Sequence, residues 1–235
     1  MRQIPAFERC SNPCSIAVLV SGGLDSGVLL AELVRRGHAV QPLYVRSGLR
    51  WEAAEHYWLC RFLRALRVPR LQRLVELALP AADLYGAHWS ISGKGTPGGG
   101  APLDSNYLPG RNLLLLSKVA VFCAQHDIAA IALAVLRDNP FADGAPEFFR
   151  RFAVTARWAL GVPLEVRTPF RGLSKSTVIR RGRGLPLHLT FSCARPHGRS
   201  HCGTCTKCAE RQRGFQLAGI PDLTHYHAHL AAGPP

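Results

Sequence analysis

The sequence predicts an α/β fold built on a doubly wound parallel sheet, and three observations predict it. Short apolar runs alternate with longer amphipathic ones along the first 160 residues. The first run, residues 16–20, has the β-branched, nearly continuous hydrophobicity of a strand buried on both faces. It passes straight into the turn Ser21-Gly22-Gly23-Leu24-Asp25-Ser26, and a helical stretch follows at once.

Strands are expected at 16–20, 40–45, 71–77 and 128–134, and helices at 27–36, 52–66, 112–126 and 146–160. Gly37 stands where a glycine ends the first helix, and Pro146 suits the opening turn of its own, with Glu147 complementing the dipole. Ligands of such a sheet sit at the carboxyl ends of the strands, which gathers 21–26, 44–48 and 134–141 around one crevice. The connection from 80 to 111 carries a glycine-rich stretch at 92–100; residues 92–104 are expected to be either a lid or disordered.

With 235 residues, 47% hydrophobic, the chain suits one domain over 1–235, including a metal-binding region at 190–220. No apolar run approaches the roughly 18 residues of a membrane span, so the expected location is cytoplasmic, with no membrane partner. The 29 Lys and Arg against 15 acidic residues, a net charge of +14, favour polyanionic ligands such as nucleotides. The arginines are scattered rather than massed in one block, so direct nucleic-acid binding is not the expectation, though tRNA stays open.

The turn is a phosphate cradle. Gly22 and Gly23 let the backbone turn sharply, and the N–H groups of the turn and first helical turn converge where a helix dipole favours an anion. Ser21 and Ser26 add hydroxyls, and Asp25 can hold the Mg²⁺ that accompanies a polyphosphate. With no G-x-x-x-x-G-K-[ST], this is not a Walker A loop. It resembles the turn of the PP-loop pyrophosphatases, which implies ATP cleavage between the α- and β-phosphates to adenylate a substrate oxygen.

Four of the eight cysteines lie together as Cys193-x8-Cys202-x2-Cys205-x2-Cys208. Four soft thiolates at this spacing suit tetrahedral Zn²⁺, and a saturated site of that kind is structural. An iron–sulfur cluster is the competing reading of the same ligands. His197 and His201, inside the x8 loop, are expected outside the ligand set. Cys60 and Cys123 read as inert helical thiols, the Cys10 and Cys14 pair as chance, and His225, His227 and His229 as part of a flexible terminus.

Three further segments sharpen the resemblance: Leu108-Pro-Gly-Arg-Asn112, Thr168-Pro-Phe170 with Lys175 beyond it, and Cys208-Ala-Glu-Arg211. Together with the turn they resemble the 7-cyano-7-deazaguanine synthase family from about residue 15 to about 220. That resemblance implies a homodimer acting on small molecules. The chemistry it implies is that ATP adenylates a deazaguanine carboxylate, ammonia displaces AMP to give the amide, and a second activation dehydrates the amide to the nitrile. Arg111 then offers a planar fork to phosphate or carboxylate and Lys175 a point charge, making Asp25, Arg111 and Lys175 the candidate catalytic residues.

One segment departs from the family pattern. Where the family carries Ser-Gly-Tyr-Pro-Asp-Cys-Arg, this chain has Asn139-Pro-Phe-Ala-Asp-Gly-Ala145, followed by the retained Pro146-Glu147-Phe148. Phe141 is expected to stack on the acceptor ring and Asp143 to accept hydrogen bonds from its N–H edge. The altered segment leaves other acceptors and amines open, as well as a repurposed nucleotide-binding relative. A tRNA-modifying PP-loop enzyme is the remaining alternative; it would need a reactive cysteine near the nucleotide.

Overall fold

The structure, a computed structural model, describes residues 15–66 and 68–228. Cys10, Cys14 and His229 lie outside the described residues. Five parallel strands form one sheet in the order β3-β2-β1-β4-β5: β1 Ser15–Leu19, β2 Ala39–Arg46, β3 Val75–Ala78, β4 Ala130–Ala132 and β5 Glu165–Arg167. β1 is central, with Ile16 opposite Val40 on one side and Ala130 on the other. Helices cover both of its faces, which is why the sequence there carries no polar face.

The helices are α1 Leu24–Arg35, α2 Glu52–Leu66, α3 Ala82–Tyr85, α4 Trp89–Ser92, α5 Arg111–Gln125, α6 Pro146–Leu160, α7 Lys175–Arg181 and α8 Thr206–Ala218. The two-residue period of β1 divides them into two layers. Ile16 and Val18 join Val28, Leu30, Leu59, Val178 and Phe215 in the core of one face, from α1, α2, α7 and α8. Ala17 points the other way, into Leu116, Val119, Phe149 and Ala156 of α5 and α6.

The expected fold class is the one observed, and α2 and α6 span the expected residues. α1 begins three residues earlier than expected, at Leu24, so Asp25 lies in its first turn. β3 takes in only 75–77 of the expected 71–77 run and continues to Ala78; Leu71 makes only an isolated bridge to Val40. The three-residue β5 and the polar helices α7 and α8 carried too little periodicity to be read in advance.

The glycine-rich stretch expected as lid or disorder is laid against the cysteine segment. Thr206 N–H donates to Pro97 O at 3.1 Å, Gly99 N–H to Thr204 O at 2.8 Å, and the Thr206 hydroxyl to buried Asn106 Oδ1 at 2.7 Å. The first of these satisfies a backbone N–H at the start of α8 that the helix itself leaves unpaired.

Candidate active site

β1 delivers the chain into the cradle at the point where the strand order reverses between β2 and β4, the usual ligand crevice of such sheets. Gly22 has φ +69°, and a Cβ there would lie 2.8 Å from the Glu55 carbonyl oxygen, so only glycine fits both the conformation and the space. The Ser26 hydroxyl donates to Gly23 O at 3.1 Å and accepts from Ser21 N–H at 3.3 Å, fixing the loop's shape. Leu24 is buried and anchors the turn, leaving the Asp25 side chain facing outward from α1 into the crevice.

Two clefts flank this turn. The sheet-side cleft, about 230 Å³, is bounded by the strand ends Val20, Tyr44, Val45 and Ala134–Val135 and by the start of α5. The second, about 210 Å³, lies toward α8 and is bounded by Trp51, Trp89, Phe191, Lys175, Lys207 and Glu210. Both share Ser21, Gly23, Asp25, Glu55 and Arg111.

At this junction Lys175 Nζ lies 2.6 Å from Asp25 Oδ2 and 3.0 Å from Glu210 Oε1, while Lys207 reaches Glu210 Oε2 at 3.1 Å. Burial works to lower the Lys175 pKa, but the two carboxylates outweigh it and hold the ammonium above the usual lysine range. Burial would raise Glu210; Lys175 and Lys207 instead bring it down to about 2. Lys175 is placed by the helix it opens, since Ser174 caps α7 through Thr177 N–H at 3.3 Å.

Asp25 Oδ1 is buried with no hydrogen-bond partner among the described residues. A carboxylate oxygen left unpaired beside a phosphate cradle is a suitable donor for a hard cation, so this position fits Mg²⁺.

Arg111 is the first residue of α5, preceded by Gly110 at φ +66°. Among the described residues no carboxylate pairs directly with its guanidinium, although its charge lowers Glu55. Glu55 accepts from the Tyr44 hydroxyl at 3.0 Å. Burial pushes its pKa up to about 7 against the opposing pull of Arg111 and that hydrogen bond.

Phe141 and Asp143 stand elsewhere: neither lines either cleft. Asp143 Oδ2 accepts the Asn112 N–H at 2.9 Å, its carbonyl accepts from the Asn112 side chain at 2.9 Å, and Phe141 packs on Tyr107 with ring centroids 5.4 Å apart. In this structure Asp143 caps the start of α5. Its carboxylate serves a free N–H at the start of α5, one residue from Arg111.

The four cysteine sulfurs all lie within 4.8 Å of one another and are buried. N–H groups of Cys202 and Arg195 point at Cys193 Sγ, each at 3.3 Å, and those of Thr204 and Cys205 at Cys202 Sγ at 3.4 and 3.3 Å. Such donors stabilise thiolates, so the set fits a soft tetrahedral metal ion. His201 lies outside the set and accepts Ser192 N–H at 3.0 Å. Arg211, 1% exposed, ties α8 to the segment before the cluster through Thr190 Oγ1 and Leu187 O, both at 2.8 Å.

Sequence reading did not single out Glu55, Lys207 or Glu210. Glu210 lies inside the Cys208-Ala-Glu-Arg211 segment, where a charged residue flanked by a metal ligand and a buried arginine was the available signal. Glu55 looked like one more polar residue of an amphipathic helix.

A family model described as queuosine biosynthesis protein QueC matches residues 15–219. A 7-cyano-7-deazaguanine synthase of Xanthomonas campestris pv. campestris is 35% identical over 228 residues, covering 89% of this chain and 96% of the relative. A protein of the same name from Sulfolobus acidocaldarius is 30% identical over 243 residues; the match covers 97% of this chain but spans about half, 51%, of that relative. Among solved structures, NMN synthetase from Francisella tularensis superimposes with a TM-score of 0.44 and 14% identity, covering 88% of this chain and 77% of that one.

Proposed function

The chain belongs to the family of the queuosine biosynthesis protein QueC, and from that premise we propose that it is a 7-cyano-7-deazaguanine synthase. It uses ATP and ammonia to turn 7-carboxy-7-deazaguanine into the nitrile. The observation that carries this reading is the shared wall of the two clefts. Adenylation joins an oxygen of one substrate to the α-phosphorus of another, so two sites must meet at one set of charges, and here they meet at Ser21, Gly23, Asp25, Glu55 and Arg111.

In this reading the turn 21–26 holds the polyphosphate through its N–H groups and hydroxyls, and Arg111 forks onto the α-phosphate or the acceptor carboxylate. Lys175, held charged by Asp25 and Glu210, faces the charge that develops as pyrophosphate leaves. Mg²⁺ on Asp25 would neutralise phosphate oxygens there. Ammonia attacks the acyl adenylate, expelling AMP and losing a proton to give the amide. Adenylation of the amide oxygen by a second ATP, with loss of AMP and a further proton, leaves the nitrile. Phe141 and Asp143 serve this chemistry at one remove, through the placement of α5. Zinc in the four-thiolate cluster, a single domain, a cytoplasmic location and a homodimer complete the proposal.

A sulfur-delivering chemistry finds less support. Among the described residues the one cysteine lining either cleft is Cys193, which belongs to the four-cysteine cluster. The test is direct: incubate the protein with Mg-ATP, ammonium and 7-carboxy-7-deazaguanine, and follow AMP and the deazaguanine by mass. Two AMP per nitrile is expected; no ATP-dependent change in the deazaguanine would refute the reading.

A further inference from the structure

We infer that Glu55 is the proton acceptor of the nitrogen chemistry: it takes the proton that ammonia sheds in becoming the amide, and the one that the amide nitrogen sheds as the nitrile forms. The inference rests on the synthase reading above and supplies the base that this reaction requires.

The need follows from the bonds that change. As ammonia bonds to the carbonyl carbon and the bond to AMP breaks, nitrogen must lose one proton. Making the nitrile removes two more. The first leaves with pyrophosphate when the amide oxygen is adenylated, and the second leaves as the C–O bond to AMP breaks and the C–N triple bond closes. A positioned side chain that accepts such a proton is worth roughly 10²–10⁴ in rate.

Besides lysine and arginine, the titratable side chains lining the two clefts, among the described residues, are Asp25, Tyr44, Glu55, Cys193 and Glu210. The others are committed elsewhere. Asp25 and Glu210 are ion-paired to Lys175, and Lys207 holds Glu210 as well. Cys193 belongs to the four-cysteine cluster, and burial holds the Tyr44 phenol well above the usual tyrosine range. Glu55 takes part in no salt bridge among the described residues and lines both clefts.

Its surroundings suit the task. α2 lays Glu55 against the phosphate turn, where a Cβ added to Gly22 would lie 3.1 Å from Glu55 Cγ. The Tyr44 hydroxyl of β2 donates to Glu55 Oε1 at 3.0 Å, which orients the carboxyl and leaves it further lone pairs. Burial, aided by Glu52 on the same helix, favours the neutral carboxyl; Arg111 of α5 and the Tyr44 hydroxyl favour the anion, and the balance lies at about 7. Across the shared wall, Asp25 of α1 and Lys175 of α7 offset one another. A carboxyl so balanced accepts a proton during the reaction and gives it to water once AMP has left.

The experiment separates activation from proton removal in wild type, Glu55→Gln and Tyr44→Phe, with circular dichroism reporting the fold. Exchange of pyrophosphate into ATP driven by 7-carboxy-7-deazaguanine, without ammonium, reads adenylation alone. Conversion of 7-carbamoyl-7-deazaguanine to the nitrile by ATP, also without ammonium, reads the proton loss and is followed across neutral pH. Glu55→Gln should exchange at close to the wild-type rate and form nitrile roughly 10²–10⁴ more slowly. Wild-type nitrile formation should fall about tenfold per pH unit below about 7. Glu55→Gln should lose that limb, and Tyr44→Phe, without the hydroxyl that favours the anion, should move it to higher pH. Nitrile formation near the wild-type rate in Glu55→Gln, or an equal loss of exchange and nitrile formation in the folded variant, would overturn the base role and leave the synthase reading standing. So would an acid limb unmoved in Tyr44→Phe, the readout that holds even if Glu55→Gln does not fold. A wild type that neither exchanges pyrophosphate with the acid nor makes nitrile refutes the synthase reading, and the role of Glu55 with it.

Discussion

Lys175 Nζ lies 2.6 Å from Asp25 Oδ2, a contact that joins the phosphate turn to a helix 150 residues further along the chain. Both groups are three-quarters or more shielded from solvent, and the second oxygen of the same Asp25 carboxylate is left without a partner. One carboxylate thus pairs with a lysine through one oxygen and keeps the other buried and unpaired among the described residues.

From this follows a first prediction. Asp25→Ala should keep the fold but cut ATP turnover by roughly 10²–10³, the usual loss when one preorganised charge contact to the transition state is removed. Asp25→Asn should behave similarly, because the amide neither holds a divalent cation well nor balances Lys175. Pyrophosphate release near the wild-type rate in either variant would argue against both roles.

The cysteine cluster gives a second. Replacing Cys193, Cys202, Cys205 or Cys208 by Ser should release one bound metal per chain and destabilise the region containing α8, since metal affinity and folding are coupled. Elemental analysis with thermal melting checks this. Iron with labile sulfide in the purified protein would replace zinc as the identity of the ion.

Glu55 makes stability depend on pH. Its folded pKa of about 7 lies above the ordinary value of 4.5, so the native state holds a proton that the unfolded chain has already released. Stability contributed by this group should therefore fall as pH rises from about 4.5 to about 7 and stay low above that. In Glu55→Gln that slope should flatten, leaving the variant relatively more stable at pH 8 than at pH 4; denaturant melts at several pH values would show an unchanged slope if the reading is wrong.

Asp143→Ala should cost roughly 0.5–2 kcal/mol of stability, the range for a lost helix cap. Its catalytic defect should resemble a weak Arg111 lesion rather than a lost acceptor contact. Asp143→Asn, which keeps an acceptor oxygen, should recover most of both. A stability change under a few tenths of a kcal/mol would remove the cap from the account.

How much of this was legible in the sequence depends on the kind of signal each element carries. β1 and the 21–26 turn announced themselves because hydrophobic continuity and paired glycines report local conformation. The cysteine cluster was readable because ligand spacing survives without any fold. The clefts were not, since Glu55, Arg111, Trp89 and Lys207 come from four elements, and only packing shows that they share walls. Asp143 carries a role that its segment does not announce: its carboxylate accepts the Asn112 N–H at the start of α5. No pattern in residues 139–145 discloses that helix start.

The sheet order bears finally on how the chain emerges from the ribosome. β1 and β2 are neighbours and can pair early, but the opposite edge of β1 receives β4 only after more than a hundred further residues have been synthesised. Until then this largely apolar strand presents an open hydrogen-bonding edge, the feature that invites pairing with other nascent chains. Vectorial synthesis thus makes a product that stops between β2 and β4 the one that exposes this edge.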